Sequence, residues 1–116
     1  SATNVLSASS NGNVTISGSL HQHSSRSLKE NIRDLSYADA IAAFKDLSPV
    51  QYQLRNDHSR SPHLGFVAED MPDLIAAPDR KTVCQMDIVA ILTKVLHQLR
   101  LDNLDLLRRI GILENS

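Results

Sequence analysis

Two side chains able to work on a peptide bond stand five residues apart, the hydroxyl of Ser24 and the amine of Lys29. A serine hydroxyl is a weak nucleophile until a base takes its proton. A lysine serves as that base only when neutral, and burial lowers its pKa from an ordinary value of about 10.4. A donor for the oxyanion is also needed, and the sequence identifies none. Serine and lysine at this spacing recur by chance, and a dyad is recognised by geometry, so spacing alone assigns no role. His21 and His23 flank Gln22. On a strand, residues two apart face one side, and three copies around an axis would gather enough imidazoles for an octahedral metal. One tripeptide is weak evidence, so these are read as solvent-facing histidines, with no metal and no cofactor. His58, His63 and His97 are read as surface residues, and no Cys/His spacing fits zinc. Cys84 is the single cysteine; it has no internal disulfide partner and reads as a small buried apolar residue. No glycine-rich phosphate loop is present.

The elements that must position these groups fall on either side of a sharp change in composition. Residues 1–25 are rich in Ser, Asn, Gly and Thr and carry no Lys, Arg, Asp or Glu, whereas charges run from Arg26 to the end. The first part reads as extended stem and the second as a head. Val14, Ile16, Gly18 and Leu20 alternate as a half-buried strand does, behind a turn signal at Asn11-Gly12-Asn13. Asn4-Val5 and Asn13-Val14 open two similar segments, weak evidence of a repeat. Strands so short and polar do not make a stable sheet alone. Neighbouring copies in an intertwined β-stem are one source of partners, and an ordinary hairpin within the chain is the alternative.

In the head, Ser36-Tyr37-Ala38-Asp39 resembles a capping box. It opens a helix of about ten residues, with Ala38, Ile41, Ala42 and Leu47 toward the core. Ser48-Pro49 ends it, because the residue before proline avoids helical angles. Val50, Tyr52 and Leu54 alternate as a strand, residues 55–63 form a polar loop, and residues 64–68 form a second strand that closes a hairpin. Glu69 to Leu74 reads as a short helical turn containing Pro72, and Pro78-Asp79-Arg80-Lys81 as a further turn. Asp87 is the expected N-cap of a final helix.

That helix carries a heptad. Val89, Leu96, Asn103 and Ile110 take position a, and Leu92, Leu99, Leu106 and Leu113 take position d. All but Asn103 are apolar, and a polar residue at a fixes register at some cost in stability. Ile88, Ile91, Val95, Leu101, Leu104 and Leu107 lie off the seam. The apolar face is therefore wider than a two-stranded zipper needs, which points to packing on the head or to a bundle of three. A single amphipathic helix buried in a monomer is the alternative, and the heptad does not choose between dimer and trimer.

Chain length and charge bound the rest. The 116 residues suit one compact domain with an extended piece, and a core of this size gains from self-association. With two Phe, two Tyr and no Trp, the core must be aliphatic. A formal net charge of -1 speaks against a nucleic-acid or membrane-surface binder. No apolar run approaches the ~20 residues of a membrane span, the start has no signal-peptide pattern, and the segment reads as the tail of a longer protein.

Four segments in order resemble one family. Ser24-Ser25-Arg26-Ser27-Leu28-Lys29-Glu30-Asn31-Ile32 is similar to the start of the intramolecular chaperone auto-processing domain, also called the endosialidase chaperone domain, whose pattern runs Ser-Asp-x-x-x-Lys and often continues Glu-Asn-Ile. Residues 47–52 look like its Leu-x-Pro-Val-x-Tyr. Residues 65–70 look like its Gly-Phe-Ile-Ala-Gln-Glu, and the helix from Asp87 looks like its closing helix. The resemblance implies a trimeric chaperone at the C-terminus of phage tail spikes and fibres, with relatives in some bacterial and animal proteins. It further implies cleavage of the His23–Ser24 bond with Ser24 as nucleophile and Lys29 as base, a single-turnover serine endopeptidase acting on itself. Ser25 stands where the family has Asp. The absent carboxylate bears on whether the bond is cut, and Ser25, four residues from Lys29, is itself a candidate nucleophile.

The expected architecture is α+β: a β-stem end over residues 1–23, and over 24–116 a chaperone head with a β-hairpin, helices and a long C-terminal helix from about 87 in a homotrimer. The expected partners are further copies of the chain and its own upstream stem, with no nucleic acid and no membrane. The expected setting is a virion tail fibre or spike precursor assembled in the cytoplasm of a bacterial host, or a bacterial surface protein. A trimerisation or adhesion module that never cuts, with loop 55–63 as its contact surface, is the alternative.

Overall fold

The structure, a computed structural model, describes residues 5–10 and 12–114. It is α+β, with two small antiparallel hairpins and one long C-terminal helix. Contacts divide the chain into two units, the first drawn from residues 1–33 and 53–62 and the second from 34–52 and 63–116.

In the first unit, β1 (Leu6–Ala8) pairs antiparallel with β2 (Val14–Ile16), with Leu6 opposite Ile16 and Ala8 opposite Val14. Gly12 turns the chain at φ 92, a left-handed angle open to glycine. Its N–H donates to Ser9 O at 3.1 Å, and Ser9 N–H donates to Asn13 O at 2.8 Å. The stem strand thus finds its partner inside the chain as an ordinary hairpin, because this tight turn makes pairing local. It is also shorter than expected: β2 ends at Ile16, the chain bends at Ser17-Gly18, and Leu20 lies outside any strand. All six strand residues are exposed. Asn4 and Asn11, part of the expected repeat and turn, lie outside the described residues.

The second unit holds the core. Helix α1 (Tyr37–Asp46) begins where Ser36 Oγ accepts the Asp39 N–H at 3.1 Å, as the capping pattern predicts, and Leu47 leaves it in extended backbone ahead of Pro49. Its buried residues are Ala40 and Ala43, with Ile41 and Leu47 half-buried; Ala38 and Ala42, expected inside, are exposed. The inward face is rotated because α1 packs on the last helix, and two alanines let the helix surfaces approach closely. Strand β3 (Val50–Gln53) pairs with β4 (Pro62–Gly65). The second strand therefore lies two residues earlier than expected, and Pro62 opens it, a position where a missing N–H is tolerated. Tyr52 stacks on His63 with ring centroids 5.4 Å apart, leaving His63 half-buried and not a surface residue.

The expected short helical turn is two separate 3-10 turns, Ala68–Asp70 and Asp73–Ile75. Pro72 divides them by holding Met71 extended at ψ 143. Met71 and Pro72 are buried, and Arg80 donates from its guanidinium to Met71 O at 3.3 Å and pairs with Asp73, tying the 78–81 turn to this segment.

The last helix, α2 (Gln85–Glu114), has 30 residues and is about 45 Å long at 1.5 Å per residue. It starts two residues before the expected cap, so Asp87 lies inside its first turn, where a carboxylate still favours the positive end of the helix dipole. Ile88 and Ile91 are its buried residues and Val95 is half-buried. These off-seam positions are what packs on the head. The seam itself, Val89, Leu92, Leu96, Leu99, Asn103, Leu106, Ile110 and Leu113, is exposed along its whole length in the single chain. In the single chain the helix is therefore buried on one side only, at its head-facing residues. No described helix is long and apolar enough to cross a membrane.

Candidate functional site

Residues 24–29 form a compact loop in the first unit. Ser25 sits in extended backbone at φ -62, ψ 147 and caps a 3-10 turn over Arg26–Leu28. Its Oγ accepts the Ser27 N–H at 3.3 Å and lies 3.0 Å from Ser27 Oγ. Leu28 N–H then donates to Ser25 O, and Lys29 N–H to Arg26 O, both at 3.1 Å. The turn folds the lysine side chain back over the serine that precedes it. Lys29 Nζ donates to Ser24 Oγ at 2.5 Å and to Ser24 O at 2.7 Å.

The two residues singled out for chemistry are thus brought into direct contact, and the amine is held by two acceptors of one residue. A base must stand within about 2.6–3.2 Å, heavy atom to heavy atom, of the group whose proton it takes, and at 2.5 Å this contact is just shorter than that range. Both residues are exposed in the single chain. The Ser25 hydroxyl, the other candidate nucleophile, is engaged with Ser27, and no hydrogen bond joins it to Lys29 among the described contacts. Ser25 and Ser27 are the residues whose part the sequence reading missed. The available signal was serine two before serine at the start of a turn, a pattern in which a side-chain oxygen stands in for a backbone acceptor.

Other candidates are not brought together in this way. His21 and His23 lie in irregular backbone, so the strand geometry that would point both imidazoles to one side is absent. Among the described residues no group of three or more His, Cys, Asp or Glu is gathered as a metal site would require. Cys84 is exposed, contrary to the expected buried position, because it falls in the link before α2 and outside the packed faces.

Residues 24–79 match the family model described as chaperone of endosialidase. A protein of Dictyostelium discoideum described as uncharacterized is 33% identical over 67 residues, covering 53% of this chain. The match takes in 6% of that protein, so the chain spans a small part of the relative's length. The family match begins at the serine that Lys29 contacts and runs through α1, both strands of the second hairpin and the two 3-10 turns; over residues 24–79 the chain is similar to the endosialidase chaperone domain.

Proposed function

We propose that this chain is a C-terminal intramolecular chaperone that trimerises, sets the register of a fibre or spike stem and then cuts itself free at His23–Ser24. The observation that carries the reading is the exposed apolar seam of α2, which runs from Val89 to Leu113 on a helix anchored to the head by Ile88 and Ile91. A row of leucines open to water is stabilised by covering it, and heptad spacing matches a partner helix of the same kind. Three joined heads raise the local concentration of the chains ahead of them. Stem strands such as the exposed β1–β2 hairpin then associate after part of their ordering entropy is already spent.

Cleavage rests on the Ser24–Lys29 contact and on the family match starting at Ser24. The Ser24 hydroxyl attacks the carbonyl carbon of His23 while its proton passes to Lys29 Nζ. The C–N bond between His23 and Ser24 breaks, the leaving amine takes that proton, and the acyl group rests on Ser24 Oγ as an ester. Water hydrolyses the ester, leaving a carboxylate on His23 and a free amine on Ser24. Desolvation favours the neutral, proton-accepting form of a lysine, so covering the exposed Lys29 on assembly is the step that arms the pair. Cutting then follows correct folding, and the stem left behind is kinetically trapped.

The partners are two further copies of the chain and its own upstream stem, without nucleic acid or membrane. The setting is a phage tail fibre or spike precursor made in a bacterial host, or a bacterial surface protein. A match lying within a far longer relative fits a module carried by larger chains.

The test is expression followed by a denaturing gel, mass spectrometry and native sizing. A product beginning at Ser24, lost in Lys29→Ala, together with a three-chain particle, is the expected result. A monomer that stays whole at every concentration overturns the reading. An intact chain that still assembles leaves a non-cutting trimerisation or adhesion module.

A further inference from the structure

We infer that Ser25 is a positioning residue that holds Lys29 against Ser24, acting through its hydrogen-bonding oxygen and not through charge; this rests on the self-cleavage reading of the same site. In extended backbone the five steps from Ser24 to Lys29 would separate the two residues by roughly 17 Å. They meet because the chain reverses over Arg26–Leu28, and the reversal is secured at its start by Ser25 Oγ accepting the Ser27 N–H. The Ser25 carbonyl accepts from Leu28 N–H at 3.1 Å, so one residue supplies both the side-chain and the backbone acceptor of the turn. Downstream of that turn, Lys29 Nζ reaches both oxygens of Ser24.

Ser25 makes no described hydrogen bond with Lys29, so its influence on the amine runs through the backbone. Serine, aspartate and asparagine are nearly equivalent as N-caps. The position where the family carries Asp therefore keeps its capping chemistry in this chain while losing the negative charge. The departure from the family pattern leaves the catalytic geometry in place.

The experiment compares Ser25→Ala, Ser25→Asn and Ser25→Asp in the full chain, with Lys29→Ala as control. Cleavage is followed as a time course across pH, and in parallel the nuclear Overhauser contact between the Ser24 and Lys29 side chains is measured in each Ser25 variant, all of which keep both residues. Removing the cap lowers the population of the turn by about fivefold. Ser25→Ala is expected to cut about fivefold more slowly at every pH, with the midpoint of the pH profile unmoved and the Ser24–Lys29 contact weakened. Ser25→Asn is expected to restore both. Wild-type contact and rate in Ser25→Ala overturn the inference, as does rescue by Asp with none by Asn, which would make the charge the active element. If no variant cuts but the contact still follows the cap, the self-cleavage reading fails while the positioning role stands.

Discussion

Replacing Leu99 by alanine separates a helix that works alone from one that works in a bundle. Leu99 is 51% exposed in the single chain, whereas Ile91, two turns earlier on the head-facing side, is 1% exposed. In an isolated chain Leu99→Ala removes a side chain already about half in water and outside the packed core, and surface changes of this kind fall within about 0.5 kcal/mol. Ile91→Ala empties a packed site and costs about 2–5 kcal/mol. When three seams meet, the half of each Leu99 still open to water becomes covered. Full burial of a leucine contributes roughly 1.5–3 kcal/mol, so the covered half contributes about 1 kcal/mol per chain and about 3 kcal/mol per trimer, before any cavity term. That is a change of about 100-fold in the association constant. Because three chains combine, the concentration at half-assembly goes as the square root and rises about tenfold. Sedimentation equilibrium over a dilution series reads this midpoint directly, and far-ultraviolet circular dichroism reports whether the head stays folded. The expected outcome is a tenfold weaker trimer with an intact head for Leu99→Ala, and a destabilised head for Ile91→Ala. A midpoint that does not move in Leu99→Ala, or a wild-type chain with no concentration-dependent assembly, refutes the reasoning.

Further outcomes follow from single contacts. Ser36→Ala removes the oxygen that accepts the Asp39 N–H at 3.1 Å and is expected to cost about 1 kcal/mol in thermal or denaturant unfolding, with Ser36→Asp nearly neutral. At Gly65 an added Cβ would stand 3.2 Å from Tyr52 Cε1, so Gly65→Ala should displace the Tyr52–His63 stack and destabilise the head by about 1 kcal/mol, read from unfolding and from the His63 ring shifts. Glu69 has its pKa lowered from 4.5, first by the hydrogen bond Lys81 donates at 3.0 Å, then by a backbone hydrogen bond and by the charge of Lys81. A lowered carboxylate pKa contributes stability that is present above the unfolded value and lost as pH falls through the folded one. The Glu69 carboxyl resonance should therefore titrate below 4.5 in the wild type and move up in Lys81→Ala; an unchanged midpoint would show that the pair does not form in solution.

Much of the fold is written in local pattern. Ser36 before a short apolar helix and Pro49 after it set both ends of α1, because capping and the steric demand of proline act within a few residues. The 3.5-residue repeat likewise marked α2 and its seam, since periodicity is a property of the helix itself. Local pattern did not decide which face of α1 turns inward. Ala40 and Ala43 are buried and Ala38 and Ala42 are not, a choice that depends on where α2 lies. The start of α2 at Gln85 and the two-residue shift of β4 are of the same kind, for element ends answer to packing as well as to caps.

The site divides along the same line. A serine and a lysine five apart, with the motif segments that follow in order, were legible in the chain by themselves. What the tertiary structure alone decided is that these two side chains touch, that Ser25 turns away to cap Arg26–Leu28, and that Ile88 and Ile91 bury themselves on the head while the leucine seam stays in water. The reason is physical: residue types and spacing limit which contacts are possible, but the direction of a side chain depends on the backbone angles of a turn and on the neighbours that occupy the remaining space.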